Sequence, residues 1–253
     1  MNFSDIYLVT EKLNKVELTE IESAEKELKT KFPFGFKEFL TTLGSGTYCD
    51  LVYIYTPEKV IEDYVSNQNI FKEASDFWDK MPHELNPSKL SELIIFTHTM
   101  DGDMLAFHPD NSGIVYVVPR HETFIYYAGI NFYQAIETLI INYGDSGEND
   151  FRWFNSHVEQ CYFQMINGEE KVSKEDFLNF VNDLDFRKID VSDEDVSEFF
   201  IRDFDGMLYL GNILAAKQTF HIEFDCEKNK VPEKFRDYFI QKGFKEISNG
   251  KKR

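Results

Sequence analysis

Apolar residues recur every three or four positions near the start of the chain, which is the spacing of one helix face. Thr19 and Glu22 match a capping box, so we predict a first helix that begins at Thr19 and that Pro33 ends. A second helix is predicted over residues 34–43, and Gly44 follows it where a left-handed residue is favoured. The apolar positions that carry these two predictions are Ile21, Ala24, Leu28, Phe32, Phe36, Phe39, Leu40 and Leu43.

Short apolar runs bounded by turn residues follow, and they predict strands over residues 51–55, 93–97, 104–107, 114–118 and 124–127. Thr56-Pro57 supplies an N-cap and a first-turn proline for a helix between the first two strands. The later connections are short turns such as Asp101-Gly102-Asp103, which favours antiparallel neighbours. Asn131 caps one more amphipathic helix, which Gly144 closes.

The polar segment 145–150 follows a complete helix stop and is the best linker candidate. We therefore predict a first domain over residues 1–145 and a C-terminal α+β domain or extension over residues 151–247. Ser173 and Pro232 mark helix starts in the C-terminal part, where strands are predicted over residues 158–166, 199–201, 207–210 and 219–224. Residues 248–253 form a basic tail, which we expect to be disordered.

The amino-acid composition argues against some classes of binding partner. The 253 residues include 45 Asp+Glu and 27 Lys+Arg, which gives a net charge of −18. This balance argues against nucleic acid and against an anionic membrane surface as partners, because both require clustered cations. Residues 1–150 hold 25 acids and 11 bases, whereas residues 151–253 hold 20 and 16. The charge of the first part serves either plain solubility or attraction of a basic protein.

The cysteines and the start of the chain bear on the compartment. The first residues show neither a basic segment nor the apolar run of a signal peptide. Cys49, Cys161 and Cys226 are widely spaced and odd in number, so they suggest neither a zinc site nor a disulfide framework. We expect each to be a small buried hydrophobe in a reducing cytoplasm.

The elements of residues 19–143 follow one another in an order that resembles a known family. The residues that carry this order are Ile21, Glu25, Leu28, Pro33, Phe36, Phe39-Leu40, Gly44, Gly46, Val52–Tyr55, Pro57-Glu58, Leu93–Phe96, Gly102-Asp103, Leu105–Phe107, Gly113–Val118 and Phe132–Leu139. The set resembles the SUKH superfamily, which includes many bacterial toxin-immunity proteins and the yeast cell-wall glucan-synthesis regulator. Two departures stand out, because residues 66–90 form an enlarged insert and residues 151–253 have no counterpart in the resemblance.

The resemblance implies an α+β fold with a mixed, mainly antiparallel sheet and helices packed around it. It also implies a binding protein and not an enzyme, since bacterial members bind a toxin's effector domain and occlude its active site. We therefore expect a cytoplasmic immunity protein whose partner is a cognate toxin domain, a basic nuclease in the first instance. The alternative is a regulatory or scaffold adaptor of the cell-wall-regulator type, and a lesser alternative is an unrecognised hydrolase. The sequence leaves the oligomeric state open.

Acids at loops or strand ends would supply charge complementary to a basic partner, and tyrosines would anchor the interface. Tyr53 and Tyr55 share one strand face, with Ile54 on the other. The residues predicted to bind the partner are Asp50, Tyr53, Tyr55, Asp101, Asp103, Asp110 and Glu122.

The hydrolase alternative depends on His98 and His108, which flank the Asp101-Gly102-Asp103 segment. Converging His and carboxylate groups could hold a metal ion, but an Asp-Gly-Asp run is more simply a turn in which Gly takes a positive φ. The histidines show neither HExxH nor H-x₃₋₅-H spacing, and the chain contains no P-loop or GxSxG motif. We accordingly predict no catalytic residues, no metal and no cofactor.

Overall fold

The computed structural model describes residues 1–143, 151–167, 171–184, 188–190, 196–214, 217–228 and 230–252. Contacts divide the chain into a first unit, Met1–Leu8 with Leu13–His157, and a second unit, Val9–Lys12 with Val158–Arg253. The predicted linker 145–150 lies outside the described residues. Residues 152–156, assigned from the sequence to the C-terminal domain, form a strand of the first sheet, which corrects that assignment.

Within the described residues, the first unit contains eight strands and five helices. The strands are β1 (Ile6–Leu8), β2 (Gly46–Tyr48), β3 (Val52–Ile54), β4 (Ile94–Thr99), β5 (Met104–His108), β6 (Asn111–Val118), β7 (Tyr126–Gly129) and β8 (Arg152–Ser156). The helices are α1 (Leu18–Leu28), α2 (Phe36–Thr42), α3 (Pro57–Glu73), α4 (Pro87–Leu90) and α5 (Phe132–Tyr143).

These strands form one sheet in the order β1-β8-β2-β3-β4-β5-β6-β7. β1 pairs with β8 in parallel, and the other neighbouring pairs are antiparallel. Among the described residues, the fold is therefore α+β with a mixed, mainly antiparallel sheet, and the predicted fold class is confirmed.

Both faces of this sheet are buried at its central strands, as the alternation along β5 and β6 shows. Leu105 and Phe107 of β5 point into the core shared with α1, α2 and α5. Ala106 of β5 and Tyr116 of β6 point into a second core on the opposite face. The insert at residues 66–90 supplies much of that second core through Phe71, Trp78, Leu85 and Leu90, so its apolar residues serve packing.

Glu25 is a buried carboxylate near the end of α1, with 5% of its surface exposed. Its Oε1 accepts the backbone N–H of Phe32 at 3.2 Å, and its Oε2 lies 2.6 Å from Lys31 Nζ. Lys37 Nζ lies 3.6 Å from the same oxygen. The carboxylate thus ties the end of α1 to the segment that leads into α2, which explains an acid at this position of the family-like pattern.

Replacing Glu25 with alanine is expected to lower the free energy of unfolding of the first unit by about 1–3 kcal/mol, because the buried Phe32 N–H loses its acceptor. Urea unfolding followed by tryptophan fluorescence measures this unit, since Trp78 and Trp153 both belong to it. Glu22→Ala is the matched control, because Glu22 is exposed and its effect should stay within about 0.5 kcal/mol. Equal losses in the two variants would contradict the proposed role of Glu25.

The second unit is a separate α+β arrangement. Within the described residues, its strands are β9 (Gln160–Ile166), β10 (Lys188–Asp190), β11 (Ser197–Ile201), β12 (Gly206–Leu214), β13 (Lys217–Phe224) and β14 (Lys245–Lys252). They form an antiparallel sheet in the order β10-β11-β12-β13-β9-β14. Helices α6 (Lys174–Asp183) and α7 (Lys230–Gln241) pack on it through an aromatic core in which Phe177, Phe220 and Phe239 meet.

β14 overturns the prediction of a disordered tail over residues 248–253. Residues 248–252 belong to this strand, which pairs with β9 at the edge of the second sheet, and Arg253 lies outside the described residues. Backbone hydrogen bonds hold an edge strand without a marked apolar pattern, and lysines are common there because they discourage pairing with other chains. The polar sequence therefore concealed a strand.

The cysteines also differ from the prediction, because Cys161 and Cys226 form a disulfide with their Cα atoms 4.9 Å apart. The antiparallel register of β9 and β13 places Cys161 opposite Phe224, two residues before Cys226. Cys49 remains a thiol, whose Sγ donates to the carbonyl oxygen of Trp153 at 3.7 Å, and burial raises its pKa to about 12. Spacing alone could not show the disulfide, since it depends on strand register.

Candidate partner-binding site

The turn between β4 and β5 is built around Thr99. The N–H of Gly102 donates to the Thr99 carbonyl at 2.9 Å, and the N–H of Asp103 donates to Thr99 Oγ1 at 3.1 Å. Gly102 takes a φ of +89°, which a residue without a Cβ adopts without strain. The turn predicted from Asp-Gly-Asp is confirmed, and it leaves Asp101 exposed at the tip.

Asp103 points inward, in contrast to Asp101, and only 7% of it is exposed. Its Oδ1 accepts the backbone N–H of Arg120 at 2.8 Å, so this carboxylate joins the turn to the segment that follows β6. The predicted partner-binding residue Asp103 thus has a structural role in holding two loops together, while its charge remains at the floor of the surface that they form.

These two loops and the end of α5 enclose a concavity of about 430 Å³, which we call the acidic concavity. It is lined by Asp101, Asp103, His121, Glu122, Phe124 and Tyr143. Phe124 is 42% exposed and Tyr143 is 39% exposed, so two aromatic rings stand beside two exposed carboxylates. Aromatic side chains are enriched at protein–protein interfaces, and tyrosine is common among hot-spot residues.

A pair of tyrosines supports the wall of the acidic concavity. The hydroxyl of Tyr143 at the end of α5 is hydrogen-bonded to the hydroxyl of Tyr126 in β7. Burial is the main cause that raises the pKa of both phenols, and the nearby Asp103 carboxylate raises it further. Both hydroxyls therefore keep their protons at neutral pH and can donate hydrogen bonds.

Asp50, Tyr53 and Tyr55 lie elsewhere, around β2 and β3. Asp50 is exposed in the turn between these strands. Tyr53 stacks on His98 with ring centroids 4.9 Å apart, and the Tyr55 ring lies 5.2 Å from the same imidazole. Burial lowers the pKa of His98, so the ring is neutral at pH 7. Both tyrosines are half-buried, and this cluster is a packed group more than a pair of exposed anchors.

Asp110 is exposed in the turn between β5 and β6, and its carboxylate lies 3.7 Å from His108 Nδ1. His98 is the register partner of Met104 at one end of β5, whereas His108 pairs with Asn111 at the other end. The two histidines of the hydrolase alternative therefore lie near opposite ends of β5. Among the described residues, no three His, Cys, Asp or Glu side chains lie close enough together to hold a metal ion.

Of the seven residues predicted to bind a partner, the structure brings Asp101, Asp103 and Glu122 to one concavity. Sequence reasoning missed Phe124 and Tyr143 as parts of it. Tyr143 is the last residue of α5 and lies beyond the buried residues of that helix, which end at Ile140. The sequence signal for Tyr143 was its position as an aromatic residue at the end of a helix, after the loops that carry the predicted acids.

The profile of the SMI1 / KNR4 family (SUKH-1) matches residues 15–138, a range that includes five of the six residues of the acidic concavity and excludes Tyr143. No curated protein and no solved structure is significantly similar to this chain. Within the part of the chain that the structure describes, no helix combines the length and apolarity needed to cross a bilayer.

Proposed function

Because residues 15–138 belong to the SMI1 / KNR4 family (SUKH-1), we propose that the chain is an immunity protein that neutralises a bacterial toxin. It acts by binding, and its partner is the toxin's effector domain, a nuclease with a basic surface. The complex forms in the cytoplasm, where the toxin would otherwise act. Neutralisation results from occlusion of the toxin's active site by a stable interface.

The acidic concavity is the observation that carries this proposal. A nuclease must bind the phosphate backbone of its substrate, so its nucleic-acid-binding surface is rich in Lys and Arg. Asp101, Asp103 and Glu122 present negative charge to such a surface, and Phe124 and Tyr143 offer apolar area to its side chains. The arrangement supports a protein partner whose cations lie between the carboxylates and the rings, where cation–π contacts add to the charge pairing.

Long-range charge adds to the local contacts. Residues 1–150 contain 25 acids and 11 bases, so the first unit attracts a cationic domain before contact is made. Such steering raises the association rate more than it raises the final affinity, and it weakens as salt screens the charges. A salt-dependent association rate is therefore the expected signature of this interface.

The partner is identified by recovering the tagged full-length chain from its native host. One stoichiometric protein, whose toxic activity disappears when the chain is added at equimolar concentration, is the result expected of an immunity protein. Several substoichiometric partners with no toxic activity would overturn the proposal in favour of a regulatory adaptor of the cell-wall-regulator type.

Reversing two charges in the acidic concavity tests the site itself. The double variant Asp101→Lys/Glu122→Lys is expected to associate with the basic effector domain at least about tenfold more slowly at low salt, because it changes the field at the docking surface. Stopped-flow or biosensor kinetics between 25 and about 300 mM salt measures the effect and its screening.

The matched control is Glu20→Lys/Glu27→Lys, which makes the same change in net charge at exposed positions of α1. Association of this control variant with the partner should slow only to the extent that the association rate depends on the overall charge of the protein. Equal slowing by both double variants, or wild-type association that salt does not alter, would contradict the assignment of the acidic concavity.

A further inference from the structure

Four consecutive residues of the second unit, Asp225 and the 3₁₀ turn Cys226–Lys228, make three side-chain links. Asp225 Oδ2, just before the turn, lies 2.8 Å from Lys12 Nζ. Cys226 is covalently bound to Cys161 in β9. Lys228 Nζ lies 2.8 Å from Asp205 Oδ2. We call residues 225–228 the clamp segment.

Backbone hydrogen bonds complete the clamp segment. The N–H of Asp225 donates to the Phe204 carbonyl at 3.0 Å, and the N–H of Lys228 donates to the Asp225 carbonyl at 2.8 Å. The N–H of Glu227 donates to Asp225 Oδ1 at 3.0 Å. Asp225 therefore organises the turn on one side and holds Lys12 on the other, and the disulfide fixes the residue next to it.

The three cysteines differ in bonding, because Cys161 and Cys226 form a disulfide whereas Cys49 is a free thiol. Cys161 and Cys226 are both partly exposed. A thiolate from solution opens such a bond by attacking one of its two sulfur atoms. Cys49 is also partly exposed, but desolvation of its thiol raises the pKa of that thiol to about 12, so little reactive thiolate forms at neutral pH. In a reducing compartment, such as the cytoplasm invoked by the proposed function, disulfides are usually transient or redox-sensing.

We infer that the Cys161–Cys226 bond is a reversible redox clamp that fixes residues 225–228 and, through Asp225, the Lys12 side chain. This goes beyond the proposed function and does not depend on the identity of any toxin. The reductant is a low-molecular-weight thiol such as glutathione. Two thiols attack in succession through a mixed disulfide and supply two electrons and two protons; the S–S bond breaks, two cysteine S–H bonds form, and the two thiols become one disulfide.

Opening the bond has two expected consequences. The cross-link joins residues 65 apart in sequence, so its loss increases the entropy of the unfolded second unit and lowers its melting temperature by about 10 °C or more. The clamp segment then depends on its ion pairs and backbone hydrogen bonds alone. We expect the amides of Glu227 and Lys228 to exchange with solvent at least about tenfold faster in the reduced protein.

The first test asks whether the bond opens in the native protein. The full chain, purified without reductant, is incubated with millimolar reduced glutathione and then treated with iodoacetamide, and peptide masses locate the alkylated residues. Cys161 and Cys226 should become alkylated after glutathione and stay unmodified without it, and oxidised glutathione should restore the bond. A bond that opens only in denaturant, or two thiols that react without reductant, would overturn the inference.

The second test uses Cys161→Ser/Cys226→Ser with Cys49→Ser as the matched control. Reductant should lower the melting temperature and speed exchange in the wild type and in Cys49→Ser, while leaving the double variant unchanged. Exchange in β5 and β6 of the first unit should be the same in the oxidised and reduced wild type. If reductant does not alter exchange at residues 225–228 of the wild type, the bond does not act as a clamp, even where the alkylation result is positive.

Discussion

Replacing Phe39 with alanine is expected to lower the free energy of unfolding of the first unit by about 3–5 kcal/mol, the range for truncating a fully buried Phe. Phe39 lies in α2 with none of its surface exposed. Its ring centroid lies 5.3–6.1 Å from those of Phe3, Tyr48, Phe132 and Phe154, which come from four separate parts of the unit. The cavity left by the ring would therefore border several elements, and no one of them can collapse into it alone.

Urea unfolding followed by tryptophan fluorescence measures the effect of Phe39→Ala. Phe34→Ala provides the control, because Phe34 is 72% exposed and its loss should change the free energy of unfolding by less than about 0.5 kcal/mol. A loss below about 1.5 kcal/mol for Phe39→Ala would mean that the aromatic residues around Phe39 are not the main core of this unit.

The second large effect concerns binding. Tyr143→Ala is expected to weaken the complex with the basic effector domain by about 2 kcal/mol, roughly 30-fold in Kd, because it removes an aromatic wall of the acidic concavity. Titration calorimetry with the purified partner measures Kd, and urea unfolding shows whether the free protein remains stable.

Two further variants show which part of the Tyr143 side chain matters and whether the effect is specific to this site. Tyr143→Phe keeps the ring and removes the hydroxyl that contacts Tyr126, so its loss of affinity should be the smaller one. Phe34→Ala removes an exposed ring beside Tyr133, in the first turn of α5 and so at the opposite end from Tyr143, and should leave Kd unchanged. A Kd for Tyr143→Ala that equals the wild-type value would show that the partner binds elsewhere.

Local signals predicted much of the fold. Thr56 caps α3 and Ser173 caps α6 through their side chains as predicted, because capping is decided by residues within one helical turn. The predicted capping box at Thr19 is wrong, since α1 begins at Leu18 with Glu17 as the N-cap residue. The central strands β4, β5 and β6 were also predicted, because each is a short apolar run between turns.

The elements that sequence reasoning missed depend on distant pairing. β1 and β2 are only three residues long, which is too short for a recognisable apolar pattern. β8 was assigned to the wrong unit because its place in the first sheet depends on pairing with β1 and β2 and not on a pattern in its own sequence. The same holds for the Cys161–Cys226 bond. Three acids that line the acidic concavity were named from the sequence, because loop acids are visible there. The convergence of two loops with the end of α5 depends on the tertiary fold.

The position of β8 constrains the order in which the molecule can form. β8 lies between β1 and β2, so it joins a strand that begins at Ile6 to the rest of the sheet. On a ribosome, β1 must therefore wait until the chain has been made through Ser156, by which time β2 to β7 and their helices are already available to fold. Contacts between such distant residues form slowly because a long loop must close first. Closure of the sheet at β1 is thus expected to be the last step in folding of the first unit, and the half-formed sheet with an open edge at β2 is the stage at which the nascent protein is most exposed to misassembly.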